Sequence, residues 1–426
     1  MRCACGLPTV YGMPNTPRNL VRALLIASAV VVLLAPAAAQ AAKGAVITVP
    51  ITQIGQPGNP AAAITPFTDA IYQSCSDAPA SPPCQAVGSV GYPYGIGELE
   101  VTVSQYVAFL NTVDPAGTNR HDLYSANESS PAWPKYGQIN LKAKVAPGRH
   151  YRIAYPEWAD KPYGFANFLR TARFANSLTN GKVLSKLPVS ANGFSYVIYK
   201  VRLSRVTERG MYAMRNPKTT RRRATGFVIP SQDEWIKAAY FDPQGQGMYS
   251  YWKYPTNPGT FFDQPTQLSP DPSAPNTATL NPTTGDVTNA STSQPLAIYH
   301  GTSFPTWCPS QVSTNTCNTV NPLHLKASTY QKIYQGSVGT VGQAKTLGPW
   351  GTLDQGGNAV EWTDTITPPP AGKKGARVWR RLHGGVPNAP GYQLWLSAIG
   401  LQPQDNKFYN AVYPWLGFRV GVVGDL

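Results

Sequence analysis

GTLDQGGNAVEW (Gly351–Trp362), VWRRLHGG (Val378–Gly385) and LGFRV (Leu416–Val420) decide the fold. The three blocks combine glycine pairs with large aromatic and aliphatic residues at irregular spacing. That spacing matches neither a helical face nor a repeat. Paired glycines permit positive φ or close chain approach, and Trp362 and Phe418 supply bulk to bury. The blocks therefore predict a knot of short strands and turns near the end of the chain.

Composition agrees with this reading outside the knot. Charged residues make up 13 % of the 426, while Gly (38) and Pro (41) are abundant and aromatic residues reach 11 %, so loops surround an aromatic core. The formal net charge is +15. Basic residues cluster at Lys218, Arg221, Arg222 and Arg223, and again at Lys373, Lys374, Arg377, Arg380 and Arg381. Such clusters serve either as solvated loops or as an attraction to anionic surfaces. No nucleic-acid motif accompanies them, so no specific nucleic-acid partner is expected.

The N-terminus reads as an export signal over residues 1–41. Arg18 and Arg22 precede the apolar run Ala23–Leu34, and Ala35–Ala41 has small residues at A-x-A spacing. A start at Met13 would give a leader of more ordinary length. The expectation is an exported chain, periplasmic or extracellular, with no membrane span once the signal is removed. Cys75, Cys84, Cys308 and Cys317 remain after residue 41. In an oxidising compartment the most local of their three pairings joins Cys75 to Cys84 and Cys308 to Cys317. Neither pair has the CxxC spacing of a metal site.

Residues 42–426 read as one domain with inserts at about 182–224 and 255–345. Apolar runs such as Ala45–Ile51 alternate with Gly/Pro turns over residues 46–96, reading as short strands and loops. Thr102 and Gln105 form a capping box ahead of a helix whose apolar face is Tyr106, Phe109, Leu110 and Val113, stopped by Pro115. A second helix buries Phe165, Phe168, Leu169, Ala172 and Ala175, and Asn180-Gly181 signals a left-handed end. Phe194–Leu203 reads as a strand of a hairpin. Ser231 and Glu234 form another capping box, with Trp235, Ala238 and Ala239 packing inward.

EVTVSQYVAFLN, FANFLRTARFANSLTNG, VIPSQDEWIKAAYFDP, GGNAVEW, RRLHGG and GFRV occur in one order over about 46–423. This ordered set resembles the formylglycine-generating enzyme (sulfatase-modifying factor) family, in particular its exported bacterial members. Two positions depart from the family pattern: Val228-Ile229 replaces an arginine-leucine pair, and Val360 replaces a tryptophan. The resemblance implies an α+β domain of the C-type-lectin-like type, loop-rich, with short helices and irregular sheets.

The family enzyme oxidises a sulfatase cysteine through copper held by two cysteines shortly before the closing block. Here Gly391–Val420 contains no cysteine. Thiolates suit copper(I) and oxygen ligands do not, so copper is not expected and the catalytic site reads as degenerate. Other relatives use iron and several histidines. The five histidines here are isolated, and His383, inside RRLHGG, is the one candidate for a catalytic or ligand role. The family also binds structural calcium, for which Asn358 and Glu361 are candidates. The competing role for Glu361 is an ion pair with a buried arginine such as Arg419.

Two functions are open on this reading. The first is binding of a protein or glycan through Tyr392, Trp395, Asp405, Tyr409, Asn410 and Trp415, where aromatics interleave with amides and a carboxylate. Retroelement-diversified binding proteins resemble this fold and vary in such a segment. The alternative is a formylglycine-generating or other metal-dependent oxidoreductase with a non-standard site.

Overall fold

A computed structural model describes residues 44–64, 85–129, 138–216, 218–245, 250–261, 275–281, 284–290, 295–299, 338–368, 377–385, 394, 396, 400–404 and 415–426. All lie in the second of two compact units, Ala37–Leu426. The expected leader and the four cysteines Cys75, Cys84, Cys308 and Cys317 lie outside these residues.

The strands that frame the site are β1 (Val46–Ile54), β2 (Tyr94–Gly97), β3 (Lys182–Ala191), β4 (Phe194–Arg202), β5 (Gly226–Val228), β6 (Val360–Thr367), β7 (Trp379–His383), β8 (Gly400–Pro403), β9 (Leu416–Gly417) and β10 (Gly421–Val423). Three helices join them: α1 (Val103–Val113), α2 (Phe168–Thr179) and α3 (Gln232–Tyr240). The larger sheet runs β3-β4-β1-β2-β10-β5, every neighbour antiparallel. The smaller runs β8-β7-β6-β9, with only β6 and β9 parallel. The result is a mixed, sheet-rich α+β structure with few helices and many loops. No helix among the described residues is long and apolar enough to cross a membrane.

The closing block LGFRV is the hinge of this architecture. Leu416 and Gly417 belong to the small sheet, and four residues later Gly421 enters the large one. Phe418, fully buried between them, meets Tyr106 of α1 and Phe174 of α2 edge-on, at ring-centroid distances of 6.5 and 5.4 Å. Tyr106 also stacks on Tyr163 at 3.6 Å. Aromatic residues thus supply the core between helices and sheet.

The helix starts follow local sequence chemistry. The Thr102 hydroxyl accepts from the Gln105 N–H at 3.3 Å while the Gln105 side chain accepts from the Thr102 N–H at 3.0 Å. Ser231 and Glu234 reciprocate in the same way at 3.2 and 2.7 Å. The end of α2 differs from expectation. Asn180 is right-handed (φ −86°), and the value of Gly181 lies elsewhere: a Cβ there would sit 2.4 Å from the Arg202 carbonyl. The glycine permits close approach of β4, not a left-handed cap. Phe165 precedes α2 at φ 57° and is not on its helical face; Phe174 and Leu178 fill that face instead.

The stretch read as an insert at 182–224 contributes β4 to the large sheet, where Val201 is fully buried. Its hairpin turns at Asn192-Gly193, both at positive φ (54° and 82°), the geometry that matches strand twist in a tight turn.

Candidate functional site

Glu361 stands at the second position of β6, directly opposite His383 on β7. Arg419 lies in the crossing between β9 and β10. Both side chains are completely buried. The Arg419 Nε donates to the two Glu361 oxygens at 2.9 and 2.7 Å, and one Nη donates to Oε1 at 2.6 Å. The other Nη donates to the Gly97 and Glu98 carbonyls at 2.9 and 3.2 Å, and the first reaches the Leu353 carbonyl at 3.1 Å. All five guanidinium donors are satisfied. The Trp235 Nε1 of α3 donates to the remaining face of Glu361 at 2.8 Å. Burial alone would lower the Arg419 pKa; Glu361 overrides it and raises the value.

Calcium at Asn358 and Glu361 does not fit this donor arrangement. The carboxylate already faces a guanidinium, and the Asn358 Oδ1 accepts from the Gly339 N–H at 2.9 Å. Asn358 sits at φ 56° and its own N–H bonds the Ile298 carbonyl at 2.8 Å, so its role is to hold a turn. The chain has no cysteine after Cys317, and no cluster of three or more metal-ligating side chains occurs among the described residues.

His383 stacks on Trp235 with ring centroids 5.1 Å apart and planes 21° from parallel. Burial, reinforced by Arg381, pushes its pKa down to about 3. The ring is therefore neutral under ordinary conditions, and its Nε2 has no hydrogen-bond partner. Gln355, in the same knot, donates to the Trp235 carbonyl at 3.1 Å and leaves its Oε1 without a partner.

A second acidic group lies beside the ion pair and was not singled out from the sequence. Glu100 is 2 % exposed and neither of its carboxylate oxygens has a hydrogen-bond partner. Burial and the neighbouring Asp354 raise its pKa well above the usual carboxylate range. Asp354, at φ 54°, accepts from the Gly342 N–H, and burial moves its pKa up to about 6. The available signal was a lone carboxylate between two apolar residues, Leu99-Glu100-Val101.

Two of the residues read as surface charge are internal. Arg221 bridges Glu234 of α3 (2.7 and 2.5 Å) and Asp364 of β6 (2.6 Å). Arg380 is fully buried over the Phe168 ring, 3.5 Å from its centroid, and donates to the Asp364 and Thr219 carbonyls. Both tether the loop around Thr219 and Arg221 to the framework, and Arg380 is closed off from solvent. Lys373 and Lys374 lie outside the described residues.

Of the expected ligand-binding side chains, Tyr392, Trp395, Asp405, Tyr409 and Asn410 also lie outside the described residues. Trp415 is half-buried, and its carbonyl accepts from the Val360 N–H at 2.9 Å. The backbone at the foot of the expected surface is thereby fastened to β6. Leu394 and Leu396 are fully buried, and the Leu394 carbonyl accepts from Tyr240 at 2.9 Å.

No family model matches the chain, and no curated protein matches it. Among solved structures it is similar to Treponema denticola variable protein 1, at 15 % identity and TM-score 0.39, over 88 % of this chain and 95 % of that one. It is similar to CarF at 15 % identity and TM-score 0.36, over 88 % and 99 %. PvdO from Pseudomonas aeruginosa aligns at 11 % identity and TM-score 0.35, over 89 % and 94 %. Likenesses at these scores carry no argument about function.

Proposed function

We propose that this chain is an exported binding protein on the C-type-lectin-like fold of the sulfatase-modifying factors, with the family's redox site dismantled. One observation carries the reading. Glu361 and Arg380 of the closing blocks are tied into the framework: Glu361 is taken up by Arg419 and Trp235, and Arg380 by backbone carbonyls. The imidazole of His383 is buried and neutral. The segment that would grip a soft metal has no thiol. The framework fastens the described ends of the 391–415 stretch, at Leu394 and Trp415, and the sequence of that stretch, with its aromatics, amides and carboxylate, suits a protein or glycan ligand. Fold alone leaves activity open, so these residues carry the proposal.

The test is incubation of the purified protein with a cysteine peptide of sulfatase type and added copper, followed by mass spectrometry. The expected outcome is an unchanged thiol; formylglycine in the product overturns the reading. A defined panel of glycans and peptides tests the positive half: capture should disappear when residues 405–414 are replaced by glycine and serine. The competing reading, a metal-dependent oxidoreductase with a non-standard site, is favoured by the partnerless Nε2 of His383. Stoichiometric copper or iron together with turnover in the same assay would select it.

A further inference from the structure

Residues 182–224 contain eleven of the chain's 36 lysines and arginines and only one of its 21 acidic residues, Glu208. They therefore carry ten of its fifteen net positive charges. Glu208 is itself neutralised by two bonds from Arg173, at 2.7 and 3.1 Å. Arg221 is tethered internally as described, and Lys186 lies against the Leu426 carbonyl and the Tyr199 ring. The others remain on the outside: Lys182, Lys200, Arg205, Arg209, Arg215, Lys218, Arg222 and Arg223 are exposed, and Arg202 is half-buried.

The register of the large sheet gathers part of this charge on one face. Partners in an antiparallel pair project to the same side. Lys182 pairs with Arg202, Ser185 with Lys200, and Leu187 with Ile198; on the other side of β4, Val46, Thr48 and Pro50 complete the three rows. The alternate β4 residues, Val197, Tyr199 and Val201, face the core. The outward face is thus basic at one end and aliphatic at the other. Leu187 is 57 % exposed, and Leu184, at the bulge in β3, is 40 % exposed. Asn180 anchors the following loop beside the basic end, donating to the Val206 and Arg209 carbonyls at 2.9 and 2.6 Å. Val206 is 41 % exposed.

We infer that this outward face of β3 and β4 docks on an anionic lipid bilayer. Charge complementarity selects an anionic partner, and the aliphatic side chains select among anionic partners. Of the six exposed large apolar residues described, Leu184, Leu187 and Val206 all fall in this stretch, and none of the three is aromatic. A soluble glycan or polyphosphate offers nothing to exposed leucines, and a single-stranded nucleic acid calls for aromatic platforms. A bilayer surface supplies both phosphate charge and an apolar layer just beneath it. Addition of a strand from another protein is disfavoured, because β3 carries a bulge, a lysine and a proline that blunt its open edge.

The experiment is flotation of the full chain with vesicles of phosphatidylcholine alone and of phosphatidylcholine mixed with phosphatidylglycerol. The apolar run at 23–34 is common to every arm, so the readout is the anionic-over-zwitterionic preference. The wild type should prefer anionic vesicles. Each basic residue near such a surface contributes roughly fivefold in affinity, so Lys182→Glu with Lys200→Glu should weaken this preference by at least about 25-fold. Lys142→Glu with Lys144→Glu makes the same charge change at exposed sites elsewhere and should leave most of the preference intact. Leu187→Ser should remove the part of binding that survives high salt. Equal losses in the two double variants, no preference for anionic vesicles, or capture by heparin unaffected by Leu187→Ser and unaccompanied by vesicle binding would each overturn the inference.

Discussion

Two buried carboxylate sites lie seven positions apart along the chain, at Asp354 and Glu361, and the protein treats them oppositely. Glu361 keeps its charge company with Arg419, whose five donors are all matched. Glu100, beside Asp354, has no partner for either oxygen, and burial with the neighbouring Asp354 raises its pKa well above the usual carboxylate range. One site is paired with a guanidinium, and at the other burial pushes the carboxyl pKa values up. The difference follows from reach. Arg419 is saturated by Glu361 and three carbonyls, so it lowers the pKa values of Glu100 and Asp354 only from a distance. An isolated charge in such a setting is costly, and a carboxyl sheds it by keeping its proton.

The largest expected effect comes from breaking the first site. Arg419→Ala leaves Glu361 buried without its cation and should destabilise by roughly 3–5 kcal/mol, read as a drop in the urea midpoint. The Trp235→Phe change removes only one of the bonds to Glu361 and should cost about 1.5–3 kcal/mol by the same measurement. If the two losses were equal, the guanidinium would not be the dominant partner and the comparison would fail.

At the second site Glu100→Gln replaces a carboxyl whose charged form burial disfavours by a neutral group of the same shape and should change neutral-pH stability by less than about 1 kcal/mol. A large loss would mean that Glu100 is ionised. Asp354 sharpens the point through pH. Its folded pKa, about 6, exceeds the ordinary aspartate value of 3.8. The folded state therefore holds the proton longer, and the stability it contributes is complete below the unfolded value and declines as pH rises through the folded one. Urea midpoints should show Asp354→Asn gaining on the wild type between about pH 4 and 6 and holding a constant difference above that. The smallest effect expected is from calcium. Because Arg419 already faces Glu361, chelation should leave the thermal midpoint unmoved; a fall on chelation, restored by added calcium, would place a cation where the guanidinium now lies.

Much of the local structure was legible because it depends on neighbours in the chain. Both capping boxes and the Ala45–Ile51 strand need only residues a few positions apart. The misread end of α2 shows the limit of that logic: Asn180-Gly181 has the composition of a left-handed cap, but the demand on Gly181 comes from the Arg202 carbonyl packed against it. The candidate site was half legible. The pairing of Glu361 with Arg419 was one of two readings open for that carboxylate. Glu100 and Asp354 were not singled out, since each is an ordinary acid until the fold buries it.

By itself the sequence determined where helices start, which apolar runs form strands, and that no thiol follows Cys317. Tertiary structure alone decided the fate of the charges. Glu361 and Arg419 are 58 residues apart, Arg419 and Gly97 are 322 apart, and Arg221 finds Asp364 across 143. Backbone propensity is set by adjacent atoms, whereas the charge state of a buried side chain is set by whatever the fold brings within hydrogen-bond distance.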